Sequence, residues 1–106
     1  MESVSKEMVG ATATKFILTI LNTNDSYGYE IVQRVHELSN GRINWNVASI
    51  YPVLRKLENS GCIKSYWRME ESERPRKYYN LLEPGKSELQ KGKDEWELVN
   101  DLFKKL

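Results

Sequence analysis

The stretch SYGYEIVQRVHELSNGRINWNVASIYPVLRKLENSG, residues 26–61, decides how this chain folds. Ser26 suits the N-cap of a helix over Tyr27 to Leu38, because a serine hydroxyl can accept from an unpaired amide of the first turn. In that helix Tyr27, Ile31, Val35 and Leu38 recur at steps of four, four and three, one apolar stripe on a helical period. Ser39-Asn40-Gly41 stops it, with Gly41 suited to the left-handed residue that follows a helix. Arg42 to Trp45 alternates polar and apolar, the pattern of a short strand. Asn46 then caps a helix over Val47 to Asn59, with Val47, Ile50, Val53, Leu54 and Leu57 facing inward and Ser60-Gly61 closing it. Pro52, at about the sixth helical position, removes one backbone hydrogen bond and favours a bend. Two helices joined this closely form a helix-turn-helix.

The flanks complete the architecture. Upstream, Val4 to Leu21 carries Val4, Met8, Ala11, Ile17, Leu18 and Leu21 near helical spacing, until Asn22-Thr23-Asn24-Asp25 draws the backbone into a turn. Downstream, Cys62 to Met69 alternates, with Ile63, Ser65 and Trp67 on one side and Cys62, Lys64, Tyr66 and Arg68 on the other. A second strand over Arg76 to Leu82 holds Tyr78, Tyr79 and Leu81, and the polar loop Glu70 to Pro75 joins the two into a hairpin. Pro84-Gly85 opens a last helix to Leu106, in which Leu89, Trp96, Val99, Phe103 and Leu106 follow steps of seven, three, four and three. That is a heptad seam, with Leu98 and Leu102 as a flanking stripe. A helix with two apolar faces buries one on its own domain and the other on a partner chain. The expected fold is α+β, mainly α: a winged helix-turn-helix with a two-stranded wing and a C-terminal dimerisation helix. Residues 1–83 would bind DNA, and residues 84–106 would pair two chains.

Composition suits a cytoplasmic protein and excludes several classes. The chain has 106 residues, enough for one modest core that pairing would reinforce. No apolar run reaches the roughly 20 residues of a membrane span, and Met1 to Gly10 lacks a signal pattern. One cysteine, Cys62, excludes a disulfide framework and a multi-cysteine zinc site. The net charge is +1, but residues 27–82 hold nine Lys and Arg against six acids, while both ends are slightly acidic. A basic centre between near-neutral helices suits nucleic-acid binding.

In a helix-turn-helix the second helix enters the major groove and presents its N-terminal residues to base edges. Its exposed residues here would be Asn46, Ser49, Tyr51, Arg55 and Lys56. Ser49 and Tyr51 can donate hydrogen bonds, and Arg55 can contact bases or phosphates with two donors at once. Arg74, Arg76 and Lys77 at the hairpin tip suit phosphates or a minor groove.

Three stretches carry a family resemblance: Tyr27-Gly28-Tyr29-Glu30-Ile31; Ser49 to Glu58, followed by Gly61; and Arg74-Pro75-Arg76-Lys77-Tyr78-Tyr79. In order and spacing they resemble the PadR family of bacterial transcriptional regulators, and the likeness covers nearly the whole chain. The single short C-terminal helix is similar to that of the smaller subfamily, where it forms the dimer interface; here that implies Leu89, Trp96, Val99, Phe103 and Leu106. The resemblance implies a homodimeric repressor on a pseudo-palindromic operator of double-stranded DNA, released by an effector. It places Tyr27, Ser49 and Tyr51 at the DNA and Arg74 to Lys77 in the wing. Some members resemble multidrug-responsive regulators that hold flat aromatic compounds between paired tryptophans. That implies a site for a small aromatic or phenolic effector at Met8, Ala11, Lys15 and Trp96. Lys15 departs from an apolar pore, and either favours an anionic or phenolic ligand or pairs with Asp94, Glu95 or Glu97. Trp96 on this reading lines a ligand pore or simply packs the dimer core.

No cofactor, metal or enzymatic activity is expected. His36, the only histidine, stands on a helix beside Glu37, and no glycine-rich phosphate loop occurs. The acids Glu70 to Glu73 read as solvated charge beside arginines. Two other readings stand beside DNA regulation with an effector. One is a winged helix used purely as a protein-interaction module, which would expose apolar anchors on the recognition helix. The other is a DNA-binding protein with no effector.

Overall fold

The first helix, α1 (Lys6–Thr23), starts where Ser5 accepts a hydrogen bond from the Met8 amide at 3.3 Å and ends where the Asn24 amide bonds to the Ile20 carbonyl. Both ends lie two residues beyond the sequence expectation. The structure is a computed structural model, and it describes residues 4–71 and 74–106. The order continues β1 (Ser26–Tyr27), α2 (Gly28–Leu38), α3 (Val47–Asn59), β2 (Ile63–Met69), β3 (Pro75–Leu81) and α4 (Glu83–Lys105). The strands form one antiparallel sheet in the order β1-β3-β2, a mainly helical winged-helix arrangement ending in a long helix.

Two expectations for the segments flanking α2 are corrected. Ser26 is not a cap: it is buried in β1, where its hydroxyl donates to Glu30 at 2.5 Å, and Tyr27 takes the cap position of α2 without a side-chain hydrogen bond. Arg42 to Trp45 forms no strand. Its alternation is real, since Ile43 and Trp45 turn toward the core and Trp45 lies 6.0 Å from the Phe16 ring. Yet among the described residues no strand runs beside it: the Arg42 amide turns back to the Ser39 carbonyl, and the Arg42 carbonyl accepts from the Val4 amide. The edge of β3 is instead taken by Ser26 and Tyr27, opposite Tyr79 and Tyr78. The expected two-stranded wing therefore sits in a three-stranded sheet.

Elsewhere the local signals decide the structure. Asn46 caps α3 by accepting from the Ala48 amide at 2.8 Å, and the helix continues across the exposed Pro52. Gly41 adopts φ 78° after α2, and its amide reaches back to the His36 carbonyl at 2.8 Å. The core joins Ile17 and Leu18 of α1, Ile31 of α2, Leu54 of α3 and Ile63 of β2, with Cys62 buried beside them. Gly85 lets α4 start flush against the sheet. A side chain there would collide with the Cys62 carbonyl and meet Leu81 Cδ1 at 2.6 Å.

Helix α4 then divides. Gly85 and Leu89 are buried, whereas every residue from Lys93 onward is exposed. Leu89 is thus a correction to the expected dimer seam. At 6% exposure it belongs to this chain's own core, because the first turns of α4 lie along α1. Among the described residues no helix is long and apolar enough to cross a membrane.

Candidate nucleic-acid interface

The inward stripe of α3 (Ile50, Leu54 and Leu57) leaves Asn46, Ser49, Tyr51, Arg55 and Lys56 on the outside, as the helical period dictates. Tyr51 is held in place from α2. A Cβ at Gly28 would stand 3.2 Å from Tyr51 Oη, so the ring lies close against the start of α2 and any larger residue there would push it by a few tenths of an ångström. Glu58, further along α3, accepts from Ser65 Oγ at 2.5 Å and ties α3 to β2.

The wing is built around stacked aromatic rings. On one face Tyr66 stacks on Tyr78 with centroids 5.9 Å apart, and Tyr27 meets Tyr78 edge-on at 5.3 Å. Arg68 and Arg76 stand directly opposite each other in the ladder, a repulsive pairing. Each is offset by a ring: Arg68 lies 4.8 Å from the Tyr78 centroid and Arg76 4.4 Å from that of Tyr27. The Tyr78 hydroxyl donates to Glu70 at 2.5 Å. That hydrogen bond, aided by burial, pushes the Tyr78 pKa up to about 12. Asp25, in the turn before β1, accepts from the Tyr66 hydroxyl at 2.6 Å and from Asn80 Nδ2 at 2.8 Å, clasping both wing strands. The hydrogen bond to Asp25 likewise raises the pKa of Tyr66.

The opposite face carries Trp67, which pairs with Lys77 across the ladder. A cleft of about 420 Å³ runs between the helix crossing and this part of the wing, lined by Tyr27, Tyr29, Tyr51, Trp67, Arg76 and Lys77 along with Pro75. The structure therefore brings four of the expected DNA-binding residues, Tyr27, Tyr51, Arg76 and Lys77, around one space. Asn46, Ser49, Arg55 and Lys56 share the exposed side of α3, and Arg74 is exposed at the hairpin tip. Glu73 lies outside the described residues. Sequence reasoning misses Tyr29 and Trp67 at this cleft. The alternation puts Trp67 on the same side as the core residue Ile63, and nothing local signals that the strand has by then run past the core.

A second cleft, of about 580 Å³, separates α1 from α4. Met8, Thr12, Lys15, Phe16 and Trp96 help line it. Ala11 lies outside this cleft, exposed on the flank of α1, while Thr12 occupies the inward phase with its hydroxyl bonded to the Met8 carbonyl at 2.8 Å. Lys15 forms no ion pair with Asp94, Glu95 or Glu97; the salt bridge among the described residues joins Lys86 to Glu83. The Lys15 stem runs beside Gly92, where an added Cβ would meet its Cγ at 3.3 Å. Trp96, Val99, Phe103 and Leu106 are all exposed. Among the described residues no group of three or more His, Cys, Asp and Glu side chains could hold a metal ion.

Comparison with known proteins places these features. The chain is 28% identical over 100 residues to protein X of Lysinibacillus sphaericus, an uncharacterized protein, covering 94% of this chain and 92% of that one. It is 30% identical over 88 residues to the transcriptional regulator YqjI of Escherichia coli K12, covering 83% of this chain but only 41% of that protein. Among solved structures, a transcriptional regulator from Clostridium thermocellum superposes with a TM-score of 0.86 at 29% identity, with 97% of each chain covered. A PadR family transcription regulator from Clostridium difficile superposes with a TM-score of 0.77 at 33% identity, covering 89% of this chain and 96% of that one. The model of the transcriptional regulator PadR-like family matches residues 17–91, from α1 through the wing into α4, and the chain belongs to that family of transcriptional regulators.

Proposed function

We propose that this protein is a DNA-binding repressor that acts in the cytoplasm as a homodimer on a pseudo-palindromic operator. The observation that carries the reading is the shared cleft. The recognition helix contributes Tyr51 and the wing contributes Arg76 and Lys77 to one surface, and among the described residues that line it there is no carboxylate. On this reading Ser49, Tyr51 and Arg55 meet base edges, while Lys56, Arg74 and Lys77 meet phosphates. Residues 1–83 bind DNA and residues 84–106 join two chains, with the amendment that Leu89 stays in its own core. The exposed stripe of Leu98, Val99, Leu102 and Phe103 supports pairing, since a helix does not leave so continuous an apolar face in water without a partner. Two copies related by a two-fold axis would place their recognition helices on matching half-sites.

The α1–α4 cleft supports regulation by a small aromatic or phenolic compound. Its walls are largely apolar, with Phe16, Met8 and Trp96 for a flat ring and the Lys15 ammonium for a phenolate or carboxylate.

The test is fluorescence anisotropy with duplexes selected by the protein from a random pool, against scrambled duplexes of the same length, across a salt series. A regulator shows a steep salt slope and a gap of about a thousandfold between the two duplexes. Tyr51→Ala and Arg55→Ala each close that gap by about tenfold or more while the dimer persists. Equal, weak binding to both duplexes would instead favour a protein-interaction module on the same fold.

A further inference from the structure

If α3 lies in the major groove and the wing reaches the adjacent minor groove, one sugar–phosphate strand passes between them, because a single backbone strand separates those two grooves. The space between α3 and the wing is the cleft of about 420 Å³ already described. We propose that this cleft is a clamp for one strand of the DNA backbone, with Trp67 packed on a deoxyribose and the surrounding donors closed on the neighbouring phosphates. The proposal rests on the DNA-binding reading and assigns a role to Trp67 and Tyr29 within it.

The chemistry of the lining selects this occupant. Tyr27 and Tyr29 offer phenolic hydroxyls, Trp67 an indole N–H, and Arg76 and Lys77 full positive charges, with no acid among them, while Tyr51 at the helix side of the cleft is left to the base edges. Such a set complements a polyanion, and its two cations repel a basic peptide. Several donors are already aimed. The Tyr29 oxygen accepts from Gln33 Nε2 at 3.3 Å, which leaves its hydrogen to donate outward. The Arg76 guanidinium is held 4.4 Å above the Tyr27 ring. Trp67 is 67% exposed and stands opposite Lys77, so an apolar ring and a cation face the same strand side by side. A deoxyribose with its phosphate presents that same pair of surfaces.

The experiment uses the full chain and the selected and scrambled duplexes, with Trp67→Ala, Trp67→Phe and Lys77→Ala. Trp67 is largely exposed, so its variants keep the parent melting profile. Trp67→Ala weakens binding to both duplexes by the same factor, about tenfold for the apolar ring area that no longer packs on the sugar. It leaves the salt slope unchanged, and Trp67→Phe recovers part of the affinity. Lys77→Ala lowers the slope by about one unit, as expected when one phosphate is no longer neutralised. Parent-like affinity of Trp67→Ala for both duplexes overturns the clamp and leaves the DNA reading standing. A weakening confined to the selected duplex also overturns it, since Trp67 would then read a base. Failure of the parent protein to bind either duplex overturns the DNA reading itself.

Discussion

Cutting the Asp25 carboxylate back to a methyl group tests how the wing is held to the body of the protein. Asp25 lies in the turn between α1 and β1, and accepts from Tyr66 on β2 and Asn80 on β3. Hydrogen bonds to a charged group contribute about 1.5–3 kcal/mol each when water is excluded. Tyr66 is exposed and Asp25 only half-buried, so water competes for both partners. About 1 kcal/mol for the Tyr66 bond and about 1.5 kcal/mol for the Asn80 bond are then reasonable, or about 2.5 kcal/mol for Asp25→Ala. At about 4 °C per kcal/mol for a domain near this size, the melting temperature falls by about 10 °C. The assay is thermal and urea unfolding at fixed protein concentration, so that any change in self-association does not shift the midpoint. A double-mutant cycle with Tyr66→Phe should show a coupling of about 1 kcal/mol. The titration of Tyr66 gives an independent check. Its pKa is raised in the folded protein chiefly because the neutral hydroxyl donates to Asp25. The stability from this bond is therefore complete below the ordinary tyrosine pKa and is lost as pH climbs through the raised folded value. Asp25→Ala flattens that alkaline decline. A melting temperature within about 2 °C of the parent, or strict additivity with Tyr66→Phe, would show that the clasp contributes nothing.

Tyr78 should respond over a defined window: with its folded pKa pushed up to about 12 from the ordinary 10.0, the stability it provides is present below pH 10 and lost as pH rises toward 12. Absorbance titration of the phenolates reads this directly, and a Tyr78→Phe variant with the same alkaline stability loss as the parent would count against it. Gly85→Ala drives a methyl into the Cys62 carbonyl, where backbone must move; a destabilisation of about 3 kcal/mol in urea unfolding is expected, and an unchanged midpoint would show the start of α4 to be loosely docked. Phe103 is 74% exposed in the single chain, so Phe103→Asp should leave the fold intact and yield monomers in sedimentation equilibrium. A dimeric profile for that variant would mean that the chains pair elsewhere.

What is legible in the sequence and what is not separate along a physical line. Helix α3 is legible with both ends and its cap, because Asn46, the inward stripe and Ser60-Gly61 act within a few residues of one another. The Arg42 to Trp45 alternation misleads because a period of two states which side chains turn inward, and Ile43 and Trp45 do so, but says nothing about whether a neighbour supplies hydrogen bonds. Two polar residues escape the pattern for a related reason. Thr12 is buried within the α1 stripe because it returns its hydroxyl to its own helix, and Ser26 is buried because Glu30 accepts its hydrogen bond. Hydropathy counts both as outward, whereas a satisfied hydroxyl behaves almost as an apolar group.

The candidate site divides the same way. Ser49, Arg55 and Lys56 follow from the phase of one helix, but the cleft beside them exists only because segments far apart in the chain meet. Gly28 makes room for Tyr51, and Asp25 fixes strands 41 and 55 residues away. Trp67 shows why such residues escape a local reading. Its side of β2 is core at Ile63, where Leu81 lies opposite, and open at Trp67, where Lys77 lies opposite. The same alternating pattern thus runs from interior to interface within one strand. The point at which α3 ceases to cover the sheet decides which residue is which: the last tie between them joins Glu58 to Ser65, two residues before Trp67.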